Sequence, residues 1–393
     1  METRKVYLDN SATTKVDEKV LKAMLPYLTN LYGNPNSLHK WGREAHKGVD
    51  KAREQVSELI NSSPNDIIFT GSGTEADNLA IKGTAFALKD KGKHIITSAI
   101  EHHALLNSIK WLKKIGYDYT ILPVDQYGLV DPKDLENAIR PDTILASIMF
   151  GNNEIGTIEP IAELGTICRE HGVLFHSDAV QAAGHVKIDV EKLPIDMLSI
   201  AAHKMYGPKG VGALYVRRGI KLTPIIHGGG QEFGVRAGTE NTSGIVGFGA
   251  AAELAAARLV NGEMENETRL RDKLINGLLE RIPETQLTGH GSQRLPYHAS
   301  FCVKYIEGEG MLLLMDAAGI AVSSGSACAS GNLEPSHVLL ACGLDHATAH
   351  GSVRLTLGHT TTEEDIDYVL EKFPPIVEKL RLMSPFYDKK NKN

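Results

Sequence analysis

Ser199-Ile200-Ala201-Ala202-His203-Lys204-Met205-Tyr206-Gly207-Pro208-Lys209-Gly210 places a lysine directly behind an apolar run and ahead of a tight turn. An amine that is partly buried among polar groups has a depressed pKa and attacks carbonyl carbon; an exposed loop lysine does not. Upstream, Phe175-His176-Ser177-Asp178-Ala179-Val180-Gln181 delivers an acid at the C-terminal end of another apolar run. Ligand groups collect at that end of the strands in open α/β sheets. Read singly, Asp178 is a helix N-cap and Lys204 a surface lysine. Read together, a strand ending in Asp and a later strand ending in Lys suit an electron-poor aromatic ring, with the acid on a protonated ring nitrogen.

The surrounding chain supports a layered α/β fold. Ile67-Ile68-Phe69, His94-Ile95-Ile96, Ile144 to Ile148, Val173-Leu174-Phe175 and Met197 to Ile200 are short apolar runs that read as buried strands. Glu75 to Leu88 and Pro160 to His171 read as intervening helices, so a mostly parallel sheet covered on both faces is expected. Thr242 to Ile282 reads as a helical stretch, Ala-rich from Ala250 to Ala257 and then charged, and is the best candidate linker. Strand-like Ala299 to Tyr305, Ile320 to Ser323 and Val353 to Leu357, with a helix near Pro335 to Ala341, follow it. The expected division is a large domain over 13–260 and a smaller α+β domain from 1–12 and 261–393. The 393 residues suit two domains, and a net charge of -6 without a basic patch argues against nucleic acid. No signal peptide or spanning segment is expected. Four scattered cysteines form no CxxC pair, which argues against a metal site or a disulfide framework and for a reducing, cytoplasmic setting.

Two further stretches carry chemistry. Phe69-Thr70-Gly71-Ser72-Gly73-Thr74-Glu75 is a strand, a Gly/Ser/Thr turn and a helix start. It offers free N–H groups, hydroxyls and the positive end of a helix dipole to an anion, with Gly73 and Thr74 as phosphate ligands. Alone it would be an ordinary cap. Ser323-Ser324-Gly325-Ser326-Ala327-Cys328-Ala329-Ser330-Gly331 surrounds a thiol with small residues that have little to bury. A mobile, accessible loop is expected, and a thiol there is explained by reactivity better than by packing. Cys168, Cys302 and Cys342 read as core. Arg354, in Val353-Arg354-Leu355, is either a strand-edge arginine or a fork for a carboxylate.

These segments together resemble the NifS/IscS-type cysteine desulfurases, pyridoxal-phosphate enzymes of class V and fold-type I (aspartate-aminotransferase-like). The resemblance runs from Tyr7-Leu8-Asp9-Asn10-Ser11 to Ser384-Pro385. It includes Gly33-Asn34-Pro35, Glu101-His102-His103, Asn152-Asn153-Glu154-Ile155-Gly156, His227 to Glu232 and Arg236-Ala237-Gly238-Thr239. It implies pyridoxal 5'-phosphate held covalently by Lys204, which also shuttles protons. His102 would stack on the ring and assist proton transfer, Asp178 would pair with the ring nitrogen, and Gln181 would bond the ring hydroxyl. Gly73, Thr74 and His203 would hold the phosphate, with Thr239 reaching across a homodimer. Asn153 and Arg354 would grip the substrate carboxylate. Cys328 would take sulfur from L-cysteine as a persulfide, releasing L-alanine. Many relatives carry serine where this chain has Ala201, which implies one hydroxyl fewer at the phosphate. Relatives that serve the housekeeping iron–sulfur scaffold run further past Ser384-Pro385, which leaves the sulfur-acceptor protein open.

Two alternatives remain on the sequence. A selenocysteine lyase or aminotransferase would share the fold, but transamination needs no thiol at Cys328. An inactive sulfur-carrier or scaffold subunit would not need Lys204, Asp178 and His102.

Overall fold

The structure is a computed structural model that describes residues 4–325, 335–385 and 387. Its strands are β1 (Val6–Tyr7), β2 (Ile67–Thr70), β3 (His94–Ser98), β4 (Asp118–Leu122), β5 (Thr143–Ser147), β6 (Leu174–Asp178), β7 (Met197–Ala201), β8 (Gly212–Val216), β9 (Thr285–Leu287), β10 (His298–Val303), β11 (Ile320–Ala321) and β12 (Ser352–Thr356). The helices are α1 (Glu18–Thr29), α2 (Lys40–Leu59), α3 (Gly73–Ala87), α4 (His103–Lys113), α5 (Pro132–Ala138), α6 (Ile161–Glu170), α7 (Thr242–Arg258), α8 (Glu263–Arg281), α9 (Gly308–Ala317), α10 (His337–Ala341), α11 (His346–His350) and α12 (Glu363–Met383).

The central sheet has seven strands in the order β2-β8-β7-β6-β5-β3-β4. β8 runs antiparallel to both its neighbours, and the other pairings are parallel. Successive apolar residues enter opposite layers, as a period of two requires. Ile95, Leu145 and Leu214 face a core with Leu79 and Ile81 of α3 and Ile109 of α4. Their neighbours Ile96, Ala146 and Ala213 face the larger core that includes Val56 of α2, Leu164 of α6 and Phe248 of α7. The expected mostly parallel sheet, covered on both faces, is therefore what forms. Because β6 and β7 are parallel neighbours, with Asp178 opposite Ser199, their C-terminal ends open on the same side.

A three-stranded antiparallel sheet, β12-β10-β9, packs with α8, α9 and α12. The N-terminal β1 pairs with β11, and Asp9 bridges to Thr356, which brings the first dozen residues beside β12. α12 starts with a capping box, in which Thr362 and Asp365 satisfy each other's backbone N–H groups.

The helical stretch expected over Thr242 to Ile282 forms as two helices, α7 and α8, bent by 76°. Gly262 at φ 89° takes the left-handed conformation that ends the run, and Asn261 Oδ1 accepts from Glu263 N at 3.0 Å to start the next. No single helix among the described residues is long and apolar enough to cross a membrane.

Candidate functional site

The C-terminal ends of β6 and β7, the start of α3 and the segment Ser11–Ala12 enclose a cavity of about 300 Å³. Nine of the sequence-predicted residues line it: Gly73, Thr74, His102, Asn153, Asp178, Gln181, His203, Lys204 and Arg354. Thr239 is exposed and away from the cavity in the single chain. Cys328 lies outside the described residues.

At one end, Gly73 and Thr74 open α3 with their N–H groups. Ser72 caps the helix by accepting from Glu75 N at 3.1 Å. Gly73 has to be glycine, because a Cβ there would stand 2.7 Å from Val180 Cγ2. His203 joins this end and holds Thr13 through Nδ1 at 3.2 Å from the hydroxyl. Burial, with Lys204 and Lys209 nearby, pulls its pKa down to about 4. Arg236 ties the Gln231–Glu240 segment to this corner through Glu75 at 2.7 Å. Ala201 presents a methyl where a hydroxyl would otherwise face the cavity.

At the other end lies Asp178. Its carboxylate accepts from Val180 N at 2.9 Å, and burial lifts its pKa to about 6 against the pull of that bond and of Lys204. Beneath it sits a second acid that the sequence reading did not single out. Asp77 is 1% exposed, and its Oδ1 lacks a hydrogen-bond partner among the described residues. Burial and the neighbouring Asp178 push its pKa well up. His176, 3.9 Å from Asp77, is fixed by Ser147 at 2.7 Å and Ser199 at 2.9 Å. Burial keeps it neutral, with a pKa of about 3. Asp77 falls one helical turn after Gly73, on the same face of α3.

Lys204 Nζ reaches between the two ends and donates to the carbonyls of Ser11 and of Ala12, the latter at 2.9 Å. Gln181 donates to Ser11 O at 3.0 Å and accepts from Tyr297 at 2.6 Å. His102 caps α4, its Nδ1 accepting from Ala104 N at 3.1 Å, which leaves the ring proton on Nε2. Burial, with Lys204 and His103 adding, holds it neutral with a pKa of about 4. Arg354, 3% exposed, donates to Asn153 O at 2.9 Å and Asp9 at 3.2 Å, while its Nε lacks a partner among the described residues.

The donor set fits pyridoxal phosphate. An anion cradle that tolerates no Cβ stands at one end and a buried carboxylate at the other. Between them are an amine and a flat, neutral imidazole. The described cysteines are free and buried, and burial pushes each of Cys168, Cys302 and Cys342 up to about 12. None of the three fits a reactive thiol.

Residues 6–369 match the family model for aminotransferase class V. The chain is 56% identical over 390 residues, covering 99% of it and 96% of the relative, to a protein from Methanosarcina thermophila named cysteine desulfurase IscS. A solved NifS-like protein superposes with a TM-score of 0.90 at 39% identity, covering 96% of this chain and 100% of that one. A structure described as SspA in complex with cysteine superposes with a TM-score of 0.81 at 37% identity, covering 91% and 100%. The chain belongs to the class V aminotransferase family of pyridoxal-phosphate enzymes. Within it, its place is with the cysteine desulfurases of the IscS type.

Proposed function

We propose that the chain releases sulfur from L-cysteine as a persulfide on its own Cys328, with L-alanine as co-product, for delivery to an acceptor protein such as an iron–sulfur scaffold. The observation that carries this reading is the convergence of an amine, a buried carboxylate and an anion cradle on one cavity in a chain of this family. Pyridoxal phosphate, when bound, supplies an electron sink for the bonds at the substrate's Cα. Gly73, Thr74 and His203 would hold its phosphate, Asp178 its ring nitrogen, Gln181 its ring hydroxyl and Lys204 its carbonyl carbon.

The chain's own residues then divide the work. Arg354 and Asn153 orient the substrate by its carboxylate, the guanidinium fork matching the two carboxylate oxygens. Lys204 Nζ, poised by the Ser11 and Ala12 carbonyls, moves the proton of Cα. His102, neutral with the proton on Nε2, serves as the second proton carrier. The Cys328 thiolate attacks the substrate sulfur. The new S–S bond forms as the Cβ–S bond breaks with its electron pair toward carbon, which takes up a proton on the way to alanine. The working form is a cytoplasmic homodimer in which Thr239, exposed in the single chain, completes the phosphate cradle of the partner.

The test is stoichiometry. The loaded protein, given L-cysteine and a reductant, should yield equal sulfide and alanine. Lys204→Ala should lose both products. Consumption of a keto acid without sulfide would overturn the proposal.

A further inference from the structure

We infer that Glu154 is a positioning residue that pins the two flanks of the Cys328 segment, Gly325 and Ser336, to one point beside Arg354. This rests on the desulfurase reading above. Glu154 is 8% exposed, and its Oε2 accepts a hydrogen bond from the Ser336 hydroxyl. A Cβ on Gly325 would stand 3.0 Å from the same oxygen and 3.3 Å from Ser336 Cβ. One carboxylate oxygen therefore bonds the second flank and stands so near the first that a side chain at 325 would press on it.

Each partner is itself fixed. Glu154 N and Ile155 N donate to the fully buried Asn152 Oδ1 at 2.8 and 2.9 Å, which sets the turn that aims the carboxyl group. Ser336 Oγ accepts from Val338 N at 3.1 Å and Leu339 N at 3.3 Å, capping α10. Gly325 N donates to Ser352 Oγ at 3.3 Å, and Ser323 exchanges two backbone hydrogen bonds with Arg354, at 2.7 and 3.2 Å. The first flank is thus tied to the strand that carries the cavity's guanidinium.

Covalent geometry makes this matter. Gly325 stands three residues before Cys328 in the chain. Holding Gly325 fixes where the Cys328 segment begins, and the Ser323–Arg354 bridge sets that start beside the strand that carries the cavity's guanidinium. An acceptor oxygen at this point suits the task because a buried Ser336 hydroxyl left without one would carry the full cost of its desolvation. If Glu154 only supported the Asn152–Gly156 turn, its loss would lower stability and cysteine binding together. Pinning instead separates the sulfur step from binding.

The experiment uses Glu154→Ala and Glu154→Gln. Glutamine keeps an acceptor for Ser336. In amide hydrogen exchange on the full chain, Glu154→Ala should speed exchange at Gly325, Val338 and Leu339 at least tenfold, and Glu154→Gln should restore most protection. In single turnovers of the loaded enzyme, Glu154→Ala should form the Cys328 persulfide at least tenfold more slowly with KM for L-cysteine within twofold. Glu154→Gln should recover most of the rate. Unchanged exchange at those amides, persulfide formation at the wild-type rate, or a KM that rises in parallel with the lost rate would each overturn the inference. If Glu154→Ala does not fold, Ser336→Ala removes the same bond from the other side and is read identically. Cys328→Ser runs beside them. If it still releases sulfide at the wild-type rate, the role of Cys328 fails, while the exchange data still judge the pinning.

Discussion

Single side chains in this molecule are defined by what burial does to their charge. His102 is neutral above a pKa of about 4 and Asp178 ionises only above about 6. Asp178 has to be an anion to pair with a protonated ring nitrogen. A carboxyl whose folded pKa is raised is charged above that value and neutral below it. Uptake of pyridoxal phosphate by the cofactor-free chain should therefore weaken as pH falls below about 6, by up to about tenfold per unit. Asp178→Asn should bind weakly and lose that pH dependence, as titration of cofactor absorbance at several pH values would show; an unchanged pH dependence in the variant would remove Asp178 from the role. Thiols follow the same rule. Cys168, Cys302 and Cys342 are buried with pKa values of about 12, so they are thiols rather than thiolates at neutral pH. Iodoacetamide on the native protein should label Cys328 alone, read by peptide mass, with the other three reacting only on unfolding. Replacing any of those three by Ala should cost about 1–3 kcal/mol and leave sulfur release intact.

At the level of elements, the parts of the site that sit on strand ends were legible and the parts that depend on packing were not. Asp178 and Lys204 were readable because each follows an apolar run, and β6 and β7 became parallel neighbours as that pattern implies. Gly73 and Thr74 were readable as a helix start. Asp77 and Glu101 were not singled out, because an acid inside a helix or just after a strand looks like any surface acid until packing buries it. The sharp bend at Gly262 is set by packing and a left-handed glycine, which the Ala-rich and charged helical pattern on either side does not specify. The segment from His227 to Glu240 shows another limit. Its backbone takes positive φ at Glu232 (44°) and Phe233 (58°), values its residue types disfavour. Tertiary contacts enforce them. Arg53 pairs with Glu232 at 2.8 Å, Glu232 accepts from Phe69 N at 2.9 Å, and Arg53 lies over the Phe69 and Phe233 rings. Glu232→Ala would strand a nearly buried guanidinium and should cost about 3–5 kcal/mol in thermal or denaturant unfolding. It should also weaken cofactor retention, since Arg236 and Thr239 follow on the same segment. A variant as stable as the wild type would show that the pair does not hold this segment.

Across the whole molecule the buried titratable groups fall into two opposed sets, and their balance sets how stability follows pH. Glu154 and Glu267 have pKa values raised to about 7, and Glu101 and Glu159 to about 8, with burial the first cause in each. An acid raised on folding contributes stability in full below its unfolded pKa near 4.5 and loses it as pH rises through the folded value. His102, His176, His185 and His203 are lowered to about 4, 3, 4 and 4, again by burial. A histidine lowered on folding contributes stability above its unfolded pKa near 6.5 and loses it as pH falls. Between about pH 4.5 and 6.5 the two sets are similar in number and opposite in slope, so they largely cancel. Above 6.5 the histidines drop out and the acids act alone, each costing at most ~1.4 kcal/mol per pH unit. The melting temperature should therefore be nearly flat from pH 5 to 6.5 and fall from 6.5 to 8.5. Glu159 isolates one member of the acid set. It is 2% exposed, one oxygen accepts from Val130 N at 3.0 Å and the other has no partner among the described residues. Glu159→Gln keeps the acceptor and removes the charge. At pH 5.5 it should melt close to the wild type, and by pH 8.5 it should melt a few degrees higher, a gain on the order of 1–3 kcal/mol. A difference between the two proteins that does not grow with pH would show that Glu159 is not forced to ionise inside the fold.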